Sequence, residues 1–279
     1  MTAQVMAVYP LAQAVLAAAG AAVEFFEFHY ISSANGEIYM TFQIFSGCGS
    51  REVNEDSTYG FCSDCQGLFI VADGLGGHGK GDVASGLATS VFKEIFSTCS
   101  ESLQGFLEKA FLNAQEAILA EQRRTGSPFQ MKTTVCALAI DKDKLMWGHI
   151  GDTRLYAFAR NKVKIRTLDH SVPQMLVLAR DIKEKDIRNH PDRNKLLRVL
   201  GVSGDAPRFE LSEPQNTSQY QAFLLCSDGF WELILEKEMC AALKKSSSAA
   251  EWMEKMLTIV EQRGAGKDMD NYSAITVWM

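Results

Sequence analysis

Acidic residues stand where apolar runs of this sequence end, often next to glycine. Asp73-Gly74 follows the run from Leu68 to Ala72, and Gly151-Asp152 follows the run from Leu145 to Ile150. The same placement recurs at Glu55-Asp56 shortly after a strand-like hairpin, at Asp228-Gly229 after Phe223 to Cys226, and at Asp270-Asn271 before the last strand-like run. Any one of these sites is typical of an ordinary turn, since Asp and Gly both favour turns.

Five such sites favour a metal centre over five unrelated turns. Carboxylates gathered at one end of a sheet repel one another unless cations neutralise them. Oxygen ligands without His or Cys select Mg²⁺ or Mn²⁺ rather than zinc. A pair of such ions binds a phosphate ester, lowers the pKa of a bridging water and stabilises the attacking and leaving oxygens. The acids therefore predict phosphoester hydrolysis.

The elements that position these acids begin with a predicted hairpin. Phe25 to Ser33 and Glu37 to Phe45 are strand-like runs on either side of an Asn35-Gly36 turn signal. Apolar residues then recur every four positions from Val83 to Ile95, and the same spacing returns from Leu103 to Ile118. This periodicity predicts two consecutive helices.

Strand-like runs resume in the second half of the chain. They are Thr134 to Ile140, Leu145 to Ile150, Leu155 to Ala159, Gln221 to Cys226 and Tyr272 to Trp278. Helices are predicted around Met175 to Ile182, Phe230 to Leu243 and Ala249 to Arg263, with Gly264 as a C-terminal cap. Strands and helices do not alternate one by one, which favours antiparallel sheets with helices outside, an α+β fold.

Five stretches resemble, in order and spacing, the motifs of the protein phosphatase 2C (PPM) family of metal-dependent serine/threonine phosphatases. They are Arg51 to Ser57, Val71 to His78, Gly151 to Arg154, Ser227 to Trp231, and Asp270-Asn271. Asp169-His170-Ser171 and the stretch from His190 to Gly201 look like the bacterial branch of that family. The resemblance runs from about Phe45 to Met279.

The resemblance implies a four-layer sandwich, in which two central antiparallel β-sheets are flanked by α-helices. We expect residues 25–279 to form a single phosphatase domain, and the insertion at about 171–200 resembles the family's flap beside the active site, where substrate choice would be made. Residues 1–24 form an Ala-rich extension without a counterpart in the motifs, and its role is unknown.

Roles for individual residues follow from the same resemblance. Asp73 resembles the carboxylate that bridges two Mn²⁺ or Mg²⁺ ions, and the other ligands, direct or through water, are Glu55, the Gly74 carbonyl, Asp228 and Asp270. Asp56 would anchor a metal-bound water, and Asp152 with Asp228 would hold a possible third ion. Arg51 resembles the residue that grips the substrate phosphate, for which a planar guanidinium is suited.

Some residues depart from the family pattern. Leu75 stands where some members carry a histidine that is a candidate general acid, so the proton donor for the leaving oxygen is unassigned. His78 is a possible substitute, but it is interpreted as a residue at a helix entrance. Lys132 replaces a glycine that usually precedes two threonines. His149, His170 and His190 are interpreted as structural or peripheral. Trp231 and Trp252 are interpreted as core residues rather than binding platforms.

Charge and composition narrow the possible partners. A net charge of −6 and a pI of about 5.5 leave no general basic surface for nucleic acid. The stretch from Ala3 to Val23 is uncharged, and the first basic residue of the sequence is Arg51. A signal peptide or a membrane anchor needs positive charge beside its apolar stretch. Membrane association is therefore not expected.

Seven cysteines, several of them inside apolar runs, favour a reducing compartment, here the cytoplasm. Cys62 and Cys65 have CxxC spacing, which could mean half of a zinc site or a redox motif. No second CxxC or HxxxH follows, so a surface turn is the preferred interpretation.

The leading hypothesis is a metal-dependent phosphatase, expected to be a monomer, that acts on phosphoserine or phosphothreonine in proteins phosphorylated by a serine/threonine kinase. An alternative is a weak or inactive phosphoprotein-binding regulator of a kinase pathway, which the intact ligand set disfavours. A third is a membrane-tethered signalling module in which residues 1–24 matter most.

Overall fold

The computed structural model describes residues 26–28, 40–63, 65–76, 80–98, 101–127 and 130–279. Its strands are β1 (Phe26–Phe28), β2 (Thr41–Gly47), β3 (Asp56–Cys62), β4 (Gln66–Leu75), β5 (Lys132–Thr133), β6 (Val135–Asp141), β7 (Lys144–Ile150), β8 (Arg154–Ala159), β9 (Lys162–Arg166), β10 (Glu210–Leu211), β11 (Gln215–Asn216), β12 (Ala222–Cys226) and β13 (Tyr272–Trp278). Its helices are α1 (Gly81–Thr98), α2 (Leu103–Thr125), α3 (Val172–Leu178), α4 (Asp228–Trp231), α5 (Glu236–Lys244) and α6 (Ala249–Gly264), with short 3₁₀ turns at Glu184–Asn189 and Thr217–Gln219.

The strands form two antiparallel sheets. The first has the order β1-β2-β13-β12-β8-β9, and the second has the order β10-β7-β6-β4-β3, with β11 also paired to β7 and β5 to β4. Every strand pairing among the described residues is antiparallel. The predicted α+β class with antiparallel sheets is confirmed.

Three apolar clusters hold the layers together. Between the sheets, Phe42 and Phe223 of the first sheet pack with Phe69 of the second. On the outer face of the second sheet, residues of α1 and α2 such as Phe92 cover the apolar side of β4. On the outer face of the first sheet, Trp252 of α6 belongs to the covering cluster. Each large side chain buried in this way contributes about 1.5–3 kcal/mol, and the result is the predicted four-layer sandwich.

The predicted hairpin is described only in part. β1 pairs with β2 and places Phe26 opposite Ile44. The Asn35-Gly36 turn signal and the extension predicted at residues 1–24 lie outside the described residues. No helix among the described residues is both long enough and apolar enough to cross a membrane.

The structure differs from the sequence prediction at several elements. β3 was not predicted, and β4 does not stop at Asp73 but continues to Leu75, because Gly74 and Leu75 pair with β5. Gly264 is the last residue of α6 rather than its cap, which is Ala265. Gly264 also lacks the positive φ of a capping glycine, whereas Gly266 has φ 74°.

Antiparallel pairing explains why the acids meet at one edge. β4, β7 and β12 run towards this edge, where Asp73 lies in β4 and where Asp152 and Asp228 closely follow the other two strands. β3 and β13 start from the same edge, where Asp56 opens β3 and Asp270 precedes β13. Acids that are far apart in sequence therefore share one end of the sandwich, which we call the acidic edge.

Candidate metal centre

Asp56 and Asp73 face each other across β3 and β4, where they are Cα partners. Two threonines hold the backbone of Asp73 in place. The Asp73 N–H donates to Thr134 Oγ1 at 3.1 Å, and the Asp73 carbonyl accepts from the Thr134 N–H and the Thr133 hydroxyl, both at 2.9 Å. The central acid thus lies on a backbone fixed by three hydrogen bonds.

Glu55 is held against the start of α1. Its Oε1 accepts the N–H of Gly81 at 3.3 Å, and its carbonyl accepts the Gly74 N–H at 3.1 Å and the Ser85 hydroxyl at 2.6 Å. Gly74 must be glycine here, because a Cβ on it would lie 2.3 Å from the Gly81 carbonyl oxygen. This close approach places Glu55 and the Gly74 backbone side by side.

Asp228 and Asp152 approach from the ends of two other strands. Asp228 is the first residue of α4, directly after β12 and Ser227. Asp152 lies in the turn between β7 and β8, and its carbonyl accepts the indole N–H of Trp231 at 3.0 Å. Trp231, which the sequence analysis assigned to the core, is indeed buried and also fixes the backbone of a candidate ligand.

Asn271, which directly precedes β13, binds the loop between β2 and β3 at this edge. Its side-chain oxygen accepts the Glu55 N–H at 2.9 Å, and its amide group donates to the carbonyls of Cys48 and Val53 at 2.9 and 3.0 Å. The neighbouring Asp270 and the loop that carries Arg51 and Glu55 are thereby held together.

Arg51 and Asp270 form a bidentate ion pair. Arg51 Nε donates to Asp270 Oδ1 and Nη2 donates to Asp270 Oδ2, each at 3.0 Å. Both side chains are nearly half exposed. The guanidinium therefore lies beside the acids, with two of its N–H groups hydrogen-bonded to one carboxylate.

The electrostatics of the acidic edge are those of carboxylates crowded away from water. Burial raises the pKa of Asp73 well above its ordinary value, and neighbouring carboxylates raise it further, namely Asp228, Asp56, Asp152 and Asp270. Burial also raises the pKa of Asp56 to about 7, that of Asp228 to about 6 and that of Asp152 well above normal. Negative charge at this edge is costly until a cation compensates it.

The residues present fit divalent cations. Oδ2 of Asp56 accepts the Ser227 hydroxyl at 2.8 Å, but Oδ1 is the one buried side-chain oxygen or nitrogen among the described residues without a hydrogen-bond partner. A buried carboxylate oxygen without a partner is costly unless a ligand or water binds it. The donors around it are carboxylate and carbonyl oxygens, the set that Mg²⁺ and Mn²⁺ prefer.

A buried ion pair lies behind the acids. Arg154 donates to both oxygens of Asp169 at 2.7 and 2.6 Å, and its guanidinium carbon lies 3.3 Å from the centroid of the Trp231 ring. Both charged side chains are at most 2% exposed. This pair fixes the start of β8 to the turn before residue 171.

Residues 171–200 contain α3 and the 3₁₀ turn at Glu184–Asn189. Arg193 of this segment pairs with Glu232, just after α4, at 3.0 Å, and Arg188 donates to the carbonyl of Trp231 at 3.1 Å. The segment is thus anchored beside Asp228. It also exposes Met175, Leu178 and Leu197, each by more than half.

The structure brings all the predicted acids to one edge and Arg51 with them, but it pairs Arg51 with Asp270. Sequence reasoning did not assign the residues that hold the acids, namely Thr133, Thr134, Ser227, Asn271 and Trp231. Ser227, Asn271 and Trp231 lie inside the quoted motifs, and the two threonines directly follow Lys132, which was the available signal. Leu75 pairs with Lys132 across β4 and β5, and Lys132 has no positive φ, so a glycine is not required there. His78 lies outside the described residues.

Both the sequence and the fold are similar to those of known proteins. The family model of protein phosphatase 2C matches residues 48–272. The serine/threonine phosphatase stp of Listeria welshimeri is 32% identical over 224 residues, which cover 78% of this chain and 88% of that protein. The structure of serine/threonine phosphatase Stp1 from Staphylococcus aureus has a TM-score of 0.76 at 23% identity and covers 89% of this chain and 99% of its own.

A second solved structure contains metal. It is the catalytic domain of the serine/threonine protein phosphatase PstP in complex with two manganese ions, with a TM-score of 0.71 and 25% identity. It covers 86% of this chain and 97% of its own.

Proposed function

The chain belongs to the protein phosphatase 2C family and is therefore a protein phosphatase, and we propose that it hydrolyses phosphoserine and phosphothreonine in proteins with a metal-activated water. The observation that carries this proposal is the convergence of the carboxylates around Asp73, with a buried Asp56 oxygen left without a partner. The names of the relatives, which are serine/threonine phosphatases, support the substrate class.

The ligands of two Mn²⁺ or Mg²⁺ ions would be Glu55, Asp73, the Gly74 carbonyl, Asp228 and Asp270, with Asp73 shared between the two. Asp56 would orient a water, and Asp152 with Asp228 would hold a third ion. When bound, such ions lower the pKa of a water and neutralise the charge of a phosphate ester. The threonines behind Asp73 and the indole behind Asp152 keep these donors in position, which reduces the reorganisation needed during reaction.

Arg51 would bind the substrate phosphate through its two parallel N–H donors. Both of these Arg51 donors are hydrogen-bonded to Asp270, so Arg51 must release Asp270 before it binds the phosphate. The release is inexpensive because exposed ion pairs contribute only about 0.2–1 kcal/mol. Leu75 has no proton to give, so the side chain at that position does not protonate the leaving oxygen.

Residues 171–200 would act as a flap that contacts the protein part of the substrate. The support is twofold: the segment is anchored beside Asp228 through Arg193 and Glu232, and it exposes large apolar side chains. A surface of this kind suits an extended polypeptide better than a small phosphate ester.

We further propose that residues 25–279 act as one phosphatase domain, as a monomer in the cytoplasm, on targets of a serine/threonine kinase. The six cysteines that the structure describes are free thiols, which suits a reducing compartment. The net charge of −6 disfavours nucleic acid as a partner.

The proposed function is tested by hydrolysis of a phosphothreonine peptide with Mn²⁺ and with EDTA. Asp73→Asn and Asp228→Asn are each expected to lower kcat/KM by at least about 100-fold, the scale of losing one electrostatic group of an active site. Asp143→Asn is the matched control, because Asp143 lies in the turn between β6 and β7 at the opposite end of β7. Activity in EDTA, or full activity in both acidic-edge variants, would overturn the mechanism. Phosphopeptide binding without turnover would point to the inactive regulator instead.

A further inference from the structure

A second cluster of potential ligands lies beside the acidic edge. His149, His170 and Glu210 place one ligand atom each within 4.8 Å of one another, and the two imidazole rings stack with centroids 4.7 Å apart. Two histidines and a carboxylate are a familiar ligand set for a transition metal.

The hydrogen bonds of His170 exclude a metal there. Its Nδ1 accepts the N–H of Gly151 at 3.2 Å, which puts the ring proton of the neutral imidazole on Nε2. That nitrogen lies 3.2 Å from Glu210 Oε1 and 3.3 Å from Nη1 of Arg198, and of these two only the carboxylate can accept the proton. A metal on Nε2 would displace that proton to Nδ1, against the Gly151 N–H. Arg198 also lies within 2.9 Å of Glu210 Oε1 and adds positive charge that opposes a cation.

His170 instead holds Gly151 by both of its backbone groups. The His170 ring accepts the Gly151 N–H, and the backbone N–H of His170 donates to the Gly151 carbonyl at 2.9 Å. Gly151 has φ 99°, and a Cβ on it would lie 2.4 Å from Thr134 Cγ2, so this tight turn requires glycine. The next residue is Asp152, which makes the orientation of its carboxylate dependent on this turn.

The other side of His170 contacts the flap segment. Its carbonyl accepts the N–H of Leu197 at 2.7 Å, and the adjacent Ser171 forms an isolated antiparallel bridge with Leu196. Burial lowers the pKa of His170 to about 4, so the ring is neutral near pH 7 and keeps Nδ1 as an acceptor. One residue therefore connects the end of the flap to the turn that carries Asp152.

We infer that His170 is a positioning residue that fixes the Gly151-Asp152 turn through its Nδ1 acceptor and thereby sets how tightly a divalent cation binds at Asp152. The inference rests on the proposed function only in that Asp152 is taken as a ligand of the third ion. Loss of the acceptor leaves the buried Gly151 N–H unpaired, and the turn is then free to relax away from the acidic edge.

Two substitutions distinguish the hydrogen bond at Nδ1 from the contact at Nε2. In His170→Asn, the side-chain oxygen can replace Nδ1 as acceptor for Gly151, while the contact with Glu210 is lost. In His170→Gln, the side-chain amide can reach Glu210, while the acceptor for Gly151 is lost. Both variants are polar and similar in size, so a general effect of replacing a buried histidine should be alike in the two.

Amide hydrogen exchange of Gly151 by NMR, in the metal-free full chain, is the first measurement. The Gly151 amide should exchange about tenfold faster in His170→Gln than in wild type, the scale of losing one buried hydrogen bond, and close to the wild-type rate in His170→Asn. Equal exchange in the two variants, or failure of both to fold, would overturn the inference, since His170 would then be a general structural residue.

Calorimetric titration with Mn²⁺ is the second measurement. His170→Gln should weaken the weakest Mn²⁺ site about tenfold and leave the tighter sites within about twofold, whereas His170→Asn should retain all of them. An equal loss at every site, or the absence of a weak site in wild type, would overturn the link to Asp152. Amide exchange needs neither metal nor substrate, so it decides the positioning role even if the chain proves to have no phosphatase activity.

Discussion

Arg51 binds Asp270 through both of its donor nitrogens, although the family resemblance assigns these residues to different partners, a phosphate and a cation. The pair is exposed, so it is easily exchanged. A cation held at Asp270, as proposed, would compete with Arg51, and its binding would release the guanidinium for the phosphate.

Arg51→Ala should therefore have opposite effects on two quantities, because Arg51 would bind the substrate phosphate and would also compete with a cation for Asp270. We expect kcat/KM for a phosphothreonine peptide to fall by about 10- to 100-fold, because a hydrogen bond to a charged group contributes about 1.5–3 kcal/mol. The Mn²⁺ affinity measured by calorimetry should rise about twofold to fivefold, the equivalent of one exposed ion pair.

Arg160→Ala is the control for Arg51→Ala, since Arg160 lies in the turn between β8 and β9, away from the acidic edge. It should leave both quantities unchanged. Weaker Mn²⁺ binding in Arg51→Ala would contradict the competition for Asp270.

At the scale of elements, local patterns predicted the strands that read as apolar runs. β13 lies where Tyr272 to Trp278 predicts it, because seven residues suited to a strand follow a turn signal. β3 was not predicted, since Asp56 to Cys62 mixes polar residues and a glycine without alternation, and the strand depends on its pairing with β4. β4 likewise continues past Asp73 because a distant segment, β5, pairs with it.

The same distinction applies to the candidate site. The acids could be predicted from residue type and spacing, and Arg51 from the family resemblance. The hydrogen bonds from Thr133, Thr134 and Asn271 could not, because they join residues 60 or more positions apart and depend on strand register. A single sequence does not fix register across distant strands.

Arg154 and Asp169 give a prediction at this scale, since they join β8 to the turn before α3. Asp169→Asn should lower the free energy of unfolding in urea by about 3 kcal/mol or more, because it leaves a buried guanidinium without its counter-charge. Glu121→Gln removes an ion pair in which Arg124 is 72% exposed, and it should leave the free energy of unfolding close to that of wild type. Equal effects of the two substitutions would contradict a buried, structural pair.

At the scale of the whole molecule, the contacts that hold the acidic edge come from residues 46–273, which agrees with a family match over residues 48–272. Removal of residues 1–24 should therefore leave kcat for the phosphothreonine peptide within about twofold of the full chain, since the described contacts at the acidic edge all come from residues that remain. The truncated chain would be checked for folding by thermal unfolding. A folded truncation with much lower kcat would show that the extension takes part in catalysis.

The acidic edge also makes the stability of the whole sandwich depend on pH when metal is withheld. Burial raises the pKa of Asp56 from 3.8 to about 7, so between these values the folded chain holds a proton that the unfolded chain has lost. Stability contributed in this way is present at low pH and is lost as the pH rises towards 7.

Asp56→Asn removes this titration from the folded chain. In EDTA, the free energy of unfolding of Asp56→Asn, taken relative to that of wild type, should increase by on the order of 2 kcal/mol between pH 5 and pH 8. We call this increase the gain. Asp143→Asn should show no such gain, because Asp143 is exposed. Saturating Mn²⁺ should abolish the gain, since a cation compensates the carboxylate at pH 8 and stabilises the wild type by binding only its folded state. A difference between Asp56→Asn and wild type that is the same at both pH values would mean that Asp56 is not buried among uncompensated charges, and the case for a cation beside its unpaired oxygen would fail with it.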